Sequence, residues 1–337
     1  MAPEVGLDVS LRPAASTTIT VVTPDGRPAA GAAIVLVPAD GHARLNGVGF
    51  DALNSRGSLI VTTDTRGQFK LPADDSLVRI VAAHPNGFGA VAPGDLNAGN
   101  ATWQLLPWGR IEGKWLSSGK PAVGNEVLLE NPEGPSGLVE FEFSTSRKQT
   151  DSDGRFAYEH VPPGTVRLVR LIRSAGGNAW GQGRKTEVEV HPGEVSPVTF
   201  GVGGYVVSAR LVLPAGVNSS QRWNFIGVIQ TPTPEIPAEV KGNPEAMRRW
   251  WQDPERQQLM RSMKVFSMTA APDGTIRGEE VEPGTFVLNC GAYLLDSAGK
   301  PSTRLVAPTQ PITIPDSPTS GTLDIGIITL QPESTPR

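Results

Sequence analysis

The stretch TDSDGRFAYEHVPPGTVRL, Thr150 to Leu168, decides the fold, because the chain carries it three times. Thr63 opens TDTRGQFKLPADDSLVRIVAAHPNG, and Ala270 opens AAPDGTIRGEEVEPGTFVLNCG. Aligned on Gly67, Gly154 and Gly274, each copy places an apolar residue two positions on: Phe69, Phe156, Ile276. Pro163-Gly164 and Pro283-Gly284 then follow their turn glycines at the same distance, so the last two copies align without a gap. A catalytic motif is used once, whereas a structural unit can be copied. The segment reads as strand, turn, strand, turn, strand. Asp64 and Asp151 stand three residues before their glycines, where a carboxylate can bond backbone N–H groups while Gly adopts positive φ. Pro-Gly presets the second turn, and alternating apolar residues such as Val166 and Leu168 mark the closing strand.

Other elements repeat around this double turn. DGRPAAGAAIVLV (25–37) matches SGKPAVGNEVLLE (118–130). Short closing strands recur at 7–13, 101–108, 196–204 and 324–332. Four closing strands against three double turns predict units at 14–108, 109–203 and 204–333, with 1–13 the closing strand of a preceding unit. On this reading the chain is part of a larger polypeptide. Units of about a hundred residues suit seven-stranded sandwiches. Gly154 follows Gly67 by 87 residues and Gly274 follows Gly154 by 120, an excess of 33. The excess falls at 234–266, the one helical pattern. Asn243-Pro244-Glu245 and Asp253-Pro254-Glu255 each supply an N-cap, a first-turn Pro and an acid, so two short helices are predicted. The expected fold is all-β: tandem transthyretin-like, immunoglobulin-like β-sandwiches, the third with a helical insertion.

Composition agrees. Gly (38) and Pro (31) exceed a fifth of 337 residues, too much punctuation for long helices. A net charge of −4 and the lack of a basic cluster argue against nucleic acid. No apolar run reaches a membrane span, and the N-terminus has no signal-peptide pattern. The single Cys290, in the strand-like TFVLNCGAYLL, reads as a buried, inert thiol.

Candidate chemistry is sparse. Asp151-Ser152-Asp153-Gly154 resembles the start of a calcium loop, but neither other copy keeps both acids, the first having Asp64 then Arg66 and the third only Asp273, and a turn is the better reading. His42, His84, His160 and His191 have no zinc spacing. No nucleophile elbow or phosphate loop is present. No catalytic residue, metal ligand or cofactor is expected. A Lys114–Glu126 isopeptide arrangement would need an Asn near the last strand, and the closing stretch EVSPVTFGVGG (194–204) offers none. Trp103, Trp108 and Trp115 bracket the first junction, where they could stack on a glycan or pack inside. In the insert, Met247, Trp250 and Trp251 recur at helical spacing, continued by Leu259, Met263 and Phe266, with Arg248, Arg249, Arg256 and Arg261 around them. This face is expected to lie on the third sandwich as a lid or to dock a partner.

The motifs TPDGRPAAGAAIVLV, GKPAVGNEVLL, TDSDGRF and VPPGTVRL resemble the carboxypeptidase regulatory-like domain, a β-sandwich related to collagen-adhesin B-type repeats. The resemblance covers most of 14–203 and the later part of 204–333, where APDG replaces the Thr-Asp start. It implies a non-catalytic structural, spacer or binding module of a bacterial envelope-associated or secreted protein, with a protein or glycan as partner. It also leaves open a peptide- or glycan-binding module, or an accessory region of a peptidase or thioredoxin-like enzyme whose catalytic domain lies elsewhere.

Overall fold

The structure is a computed structural model that describes residues 16–55, 57–96, 101–117, 119–132, 139–173, 180–201, 203–217, 223–271, 273–296, 298–316 and 321–333. The closing strand expected at 7–13 lies outside these residues. Strands come first as β1 (Ser16–Val22), β2 (Ala33–Pro38), β3 (Ala43–Asn46), β4 (Gly49–Phe50), β5 (Leu59–Thr62), β6 (Gln68–Pro72), β7 (Leu77–His84), β8 (Gly87–Val91) and β9 (Thr102–Gln104). Next are β10 (Gly109–Ser117), β11 (Lys120–Pro121), β12 (Glu126–Glu130), β13 (Val139–Phe141), β14 (Arg147–Gln149), β15 (Arg155–Val161), β16 (Gly164–Arg173), β17 (Trp180–Val190) and β18 (Val195–Phe200). The last set is β19 (Tyr205–Val212), β20 (Trp223–Gln230), helices α1 (Pro244–Gln252) and α2 (Pro254–Ser262), then β21 (Val265–Ala270), β22 (Thr275–Val281), β23 (Gly284–Leu295), β24 (Pro301–Val306), β25 (Gln310–Ile314), β26 (Thr322–Thr329) and β27 (Gln331–Pro332).

One pairing scheme is used three times. A first strand lies between an antiparallel and a parallel neighbour: β1 between β6 and β9, β10 between β15 and β18, β19 between β22 and β26. Facing it is an antiparallel sheet, β5-β2-β7-β8, β14-β12-β16-β17, or β21-β20-β23-β24. In the third set β21 also pairs with β22, which joins both layers into one nine-stranded sheet. Inward side chains alternate with outward ones, as sandwich packing requires. Three separate apolar cores result. Ile19, Ile34 and Ile80 centre the first, Ile111, Val127 and Leu168 the second, and Ile229, Ile276 and Leu288 the third. The chain is an all-β series of immunoglobulin-like sandwiches with a helical insertion in the third.

The insert starts as its sequence dictates. Asn243 Oδ1 accepts from the backbone N–H groups of Glu245 and Ala246, both at 3.1 Å. Asp253 Oδ1 accepts from Glu255 and Arg256 at 3.1 and 3.2 Å. Both satisfy donors that a helix start leaves unpaired.

Candidate functional sites: double turns, joints and insert

In the double turn the Asp carboxylate is spent on backbone. Asp151 Oδ1 accepts from Asp153 N at 2.9 Å and Arg155 N at 2.8 Å, and Gly154 N donates to Asp151 O at 3.0 Å. Asp64 repeats this with Arg66 and Gln68, both at 2.8 Å. Gly67 and Gly154 have φ near +74° and +72°. A Cβ there would also lie 2.4 Å from Val21 O or 2.5 Å from Trp115 O. In the third copy Ala271 stands in the Asp position, and Asp273 accepts from Thr275 N at 2.9 Å instead. These bonds hold the Asp273 carboxyl below the usual carboxylate range. Gly164 and Gly284, after Pro163 and Pro283, have φ of 115° and 139°. Asp296 forms a further turn of the same kind with Ala298 and Lys300. DSAGK (296–300) has the same spacing, with Asp296 three residues before Gly299.

The threonine before the Asp ties the two repeated motifs together. Thr150 Oγ1 donates to Ala122 O at 2.5 Å and accepts from Asn125 N at 2.9 Å. Thr63 Oγ1 bonds Ala29 O at 2.6 Å and Ala32 N at 2.8 Å. The third copy has Ala270 there and lacks the Gly-x-Pro-x-x-Gly turn, so both halves of the contact are lost together.

The three tryptophans of the first junction are buried. Trp103 belongs to the first core, against the backbone of Gly89, and Trp115 to the second core. Trp108 sits at the joint. Its ring lies 5.2 Å from Phe88 and edge-on to His160 at 5.9 Å, and its Nε1 donates to His84 O at 2.8 Å. These indoles present no common outer face for a sugar; they pack.

The rest of the first joint was not legible. β13 of the second sandwich pairs in parallel with β3 of the first, matching Ala43 to Val139 and Leu45 to Phe141. Val139 and Phe141 complete an apolar layer that Ala43, Leu45 and Phe50 begin over Val35, Val37, Val81 and Ala83. Arg44 bridges Glu140 at 2.9 Å and Glu142 at 3.6 Å across the joint.

The second joint is ionic. Arg170 on β16 reaches Glu279 at 2.7 Å and Glu280 at 3.8 Å, while its guanidinium lies 4.8 Å over the Trp115 ring. Arg184 on β17 pairs with Glu282 at 3.1 Å, and Lys264 also pairs with Glu282. β17 comes so near β21 that a Cβ on Gly181 would lie 2.5 Å from the Ser267 side chain. Glu279 and Glu280 form a bulge where β22 slips against β19 between Tyr205 and Val207. Glu280 has φ of 58°, alone among the described non-glycine residues in being positive. A bulge suits that conformation with Gly, and strain in a bulky residue points to a fixed task. Burial raises the Glu280 carboxyl above its usual range, against the opposing pull of Arg170 and Arg184. A cleft of about 370 Å³, lined by Glu279, Glu280, Ser117, Thr322 and several glycines, opens beside it. His160 occupies the matching bulge of the second sandwich and faces Trp108, so one bulge position serves both joints. Arg170 carries a legible signal: it follows Val166 and Leu168 at alternate positions, a charge on a core-facing row.

The insert departs from the expected lid. No described helical residue belongs to the third core. Trp250 is buried against Trp251, edge to face at 4.6 Å, and beneath the Arg256 guanidinium at 4.6 Å. Met247 and Trp251 are half-buried, and Arg248 and Arg249 are exposed. Leu259 is exposed, the side chain of Arg261 lies outside the described residues, and Phe266 belongs to β21 and the third core. The apolar row therefore does not continue past α2, because the chain turns from helix to strand at Val265.

Cys290 is buried in the third core, and burial pushes its thiol up to about 12. Lys114 alternates with the core-facing Gly113 and Trp115 and lies on the outer side of β10, while Glu126 is on β12 in the facing sheet. Lys114 therefore does not point into the core where an assisting acid would have to meet it. Tyr158 Oη donates to Val127 O at 2.7 Å within the second core.

No family model matches the chain, and no curated protein matches it. Among solved structures it is similar to GBS52, the minor pilin of Streptococcus agalactiae, at 14% identity, covering 55% of this chain and 94% of that one, with a TM-score of 0.31. It is similar to the streptococcal ancillary pilin at 11% identity, covering 95% and 100%, with a TM-score of 0.22. The major pilin subunit BcpA of Bacillus cereus matches at 10% identity, covering 92% and 98%, with a TM-score of 0.20. The resemblance to carboxypeptidase regulatory-like domains rests on the quoted motifs alone.

Proposed function

We propose that this chain is a non-catalytic structural module, three sandwiches at 14–108, 109–203 and 204–333 that hold their neighbours at fixed spacing in a bacterial surface or secreted protein. The transthyretin-like character and the carboxypeptidase regulatory-like kinship of its motifs belong to the same reading. The observation that carries it is the construction of the joints. Domains linked only by a flexible tether move independently, whereas a large apolar contact fixes them. Here the first joint combines a shared parallel strand pair, an apolar layer and the Trp108 hydrogen bond. The second adds the Arg170–Glu279 and Arg184–Glu282 bridges. Such a build transmits position along the chain, which a spacer or shaft requires.

Small-angle scattering of the full chain tests this. A single extended shape should fit the data in low salt. At about 1 M salt the screening length shrinks to roughly 3 Å, so the second joint should loosen while the first stays closed. Arg170→Ala should reproduce the salt effect in low salt. Data that require freely reorienting sandwiches already in the unmodified chain would end the spacer reading.

A further inference from the structure

The three sandwiches differ in what covers the outer face of the four-stranded layer. In the first, that face (Val35, Val37, Val81, Ala83) is fully buried beneath β3, β4 and β13. The incoming β13 alternates Val139 and Phe141 with Glu140 and Glu142, and both acids meet Arg44. In the third sandwich the matching face of β20, β23 and β24 is open. It forms a groove of about 310 Å³ whose lining includes Ile226, Val228, Gly291, Tyr293, Arg304 and Val306. Ile226 is 55% exposed there. The chain segment that follows the second strand does not cover it, because in this sandwich that segment is the helical insert.

We propose that this groove docks an extended strand carrying alternate apolar and acidic side chains, of the kind β13 presents at the first joint. Two features select that occupant. The groove floor is mainly apolar, from Ile226, Val228 and Val306, with the hydrogen-bonded Asn289–Thr309 pair beside it. Its cation, Arg304, lies 5.8 Å from the Tyr293 ring and pairs with Glu333 at 2.8 Å, an exposed bridge. Exposed bridges contribute little, so an incoming carboxylate can exchange with Glu333 as Glu140 and Glu142 engage Arg44. Apolar floor and cation together match the Val-Glu-Phe-Glu pattern. This inference rests on the first joint's geometry and not on the spacer reading, since docking does not depend on joint stiffness.

The test is fluorescence anisotropy with a labelled synthetic peptide of residues 137–144, GLVEFEFS, added to the full chain. Saturable binding should weaken at least tenfold in Ile226→Glu and in Arg304→Glu. A peptide with Lys at both Glu140 and Glu142 should bind Arg304→Glu better than it binds the unmodified chain. Both substitutions are at exposed side chains, and circular dichroism checks that each variant folds. Absence of binding at millimolar peptide overturns the proposal. So does binding that neither substitution changes, which would place the peptide elsewhere, including at the first joint in exchange with β13.

Discussion

The hydroxyl of Thr150 donates to the carbonyl of Ala122 at 2.5 Å from 28 residues away, buried between the two turns that open and close the same edge of the second sandwich. It joins two motifs that look independent in sequence. Thr150→Ala should therefore destabilise the chain by about 1–3 kcal/mol, since it leaves Ala122 O and Asn125 N without their buried partner. Thr150→Ser keeps the hydroxyl and should recover most of the loss. Urea denaturation of the three proteins measures this, and equal midpoints for Ala and Ser would show that the bond contributes nothing.

Trp108 is the apolar anchor of the first joint. Trp108→Ala should cost about 3–5 kcal/mol, the range for emptying a buried tryptophan site. The first two sandwiches should then melt in separate steps where the unmodified pair melts in one. Calorimetry resolves the two cases.

Glu280 gives the second joint a pH dependence of definite sign. Its carboxyl is raised by burial, so the folded state holds the proton more tightly than the unfolded chain. Its contribution is fully present below the ordinary Glu value of 4.5 and is lost as pH rises through the raised value. Glu280→Gln keeps the shape without the charge and should flatten that slope. Stability of the variant relative to the unmodified chain should rise from mildly acidic to neutral pH. A constant difference across that range would show that Glu280 does not titrate in the folded joint. Glu279 still pairs with Arg170 in the variant, so the joint keeps its bridge.

Cys290 should resist thiol reagents at pH 8, because its thiol is buried and pushed up to about 12. It should react promptly only in denaturant. Modification of the native chain at the rate of an unfolded thiol would contradict its place in the third core.

Local chemistry was readable and long-range pairing was not. The Asp-x-x-Gly turns, the Pro-Gly turns and both helix caps are read within five residues of chain, and each is where its sequence puts it. The role of a tryptophan is set by what meets it. Nothing around Trp108 announces that Phe88, His160 and His84 O converge on it. The β3–β13 pair links residues 96 apart with a motif no stronger than Val-Glu-Phe. Glu280 is harder still, since a strained bulge is ordinarily marked by glycine. The insert's caps were legible, but its packing was not, because a periodic apolar row does not say whether helices cover a sheet or each other.

The parallel pairing of β3 with β13 also orders events during synthesis. The first sandwich has all its own strands once Gln104 has emerged, yet the layer that Ala43, Leu45 and Phe50 form over Val35 and Val81 is completed, and the β3 edge paired, only with Phe141, 37 residues later. At roughly 5–20 residues per second that interval lasts about two to seven seconds. For that time the nascent chain displays the unpaired β3 edge and an incomplete apolar layer at the ribosome, and translation of the second sandwich closes both.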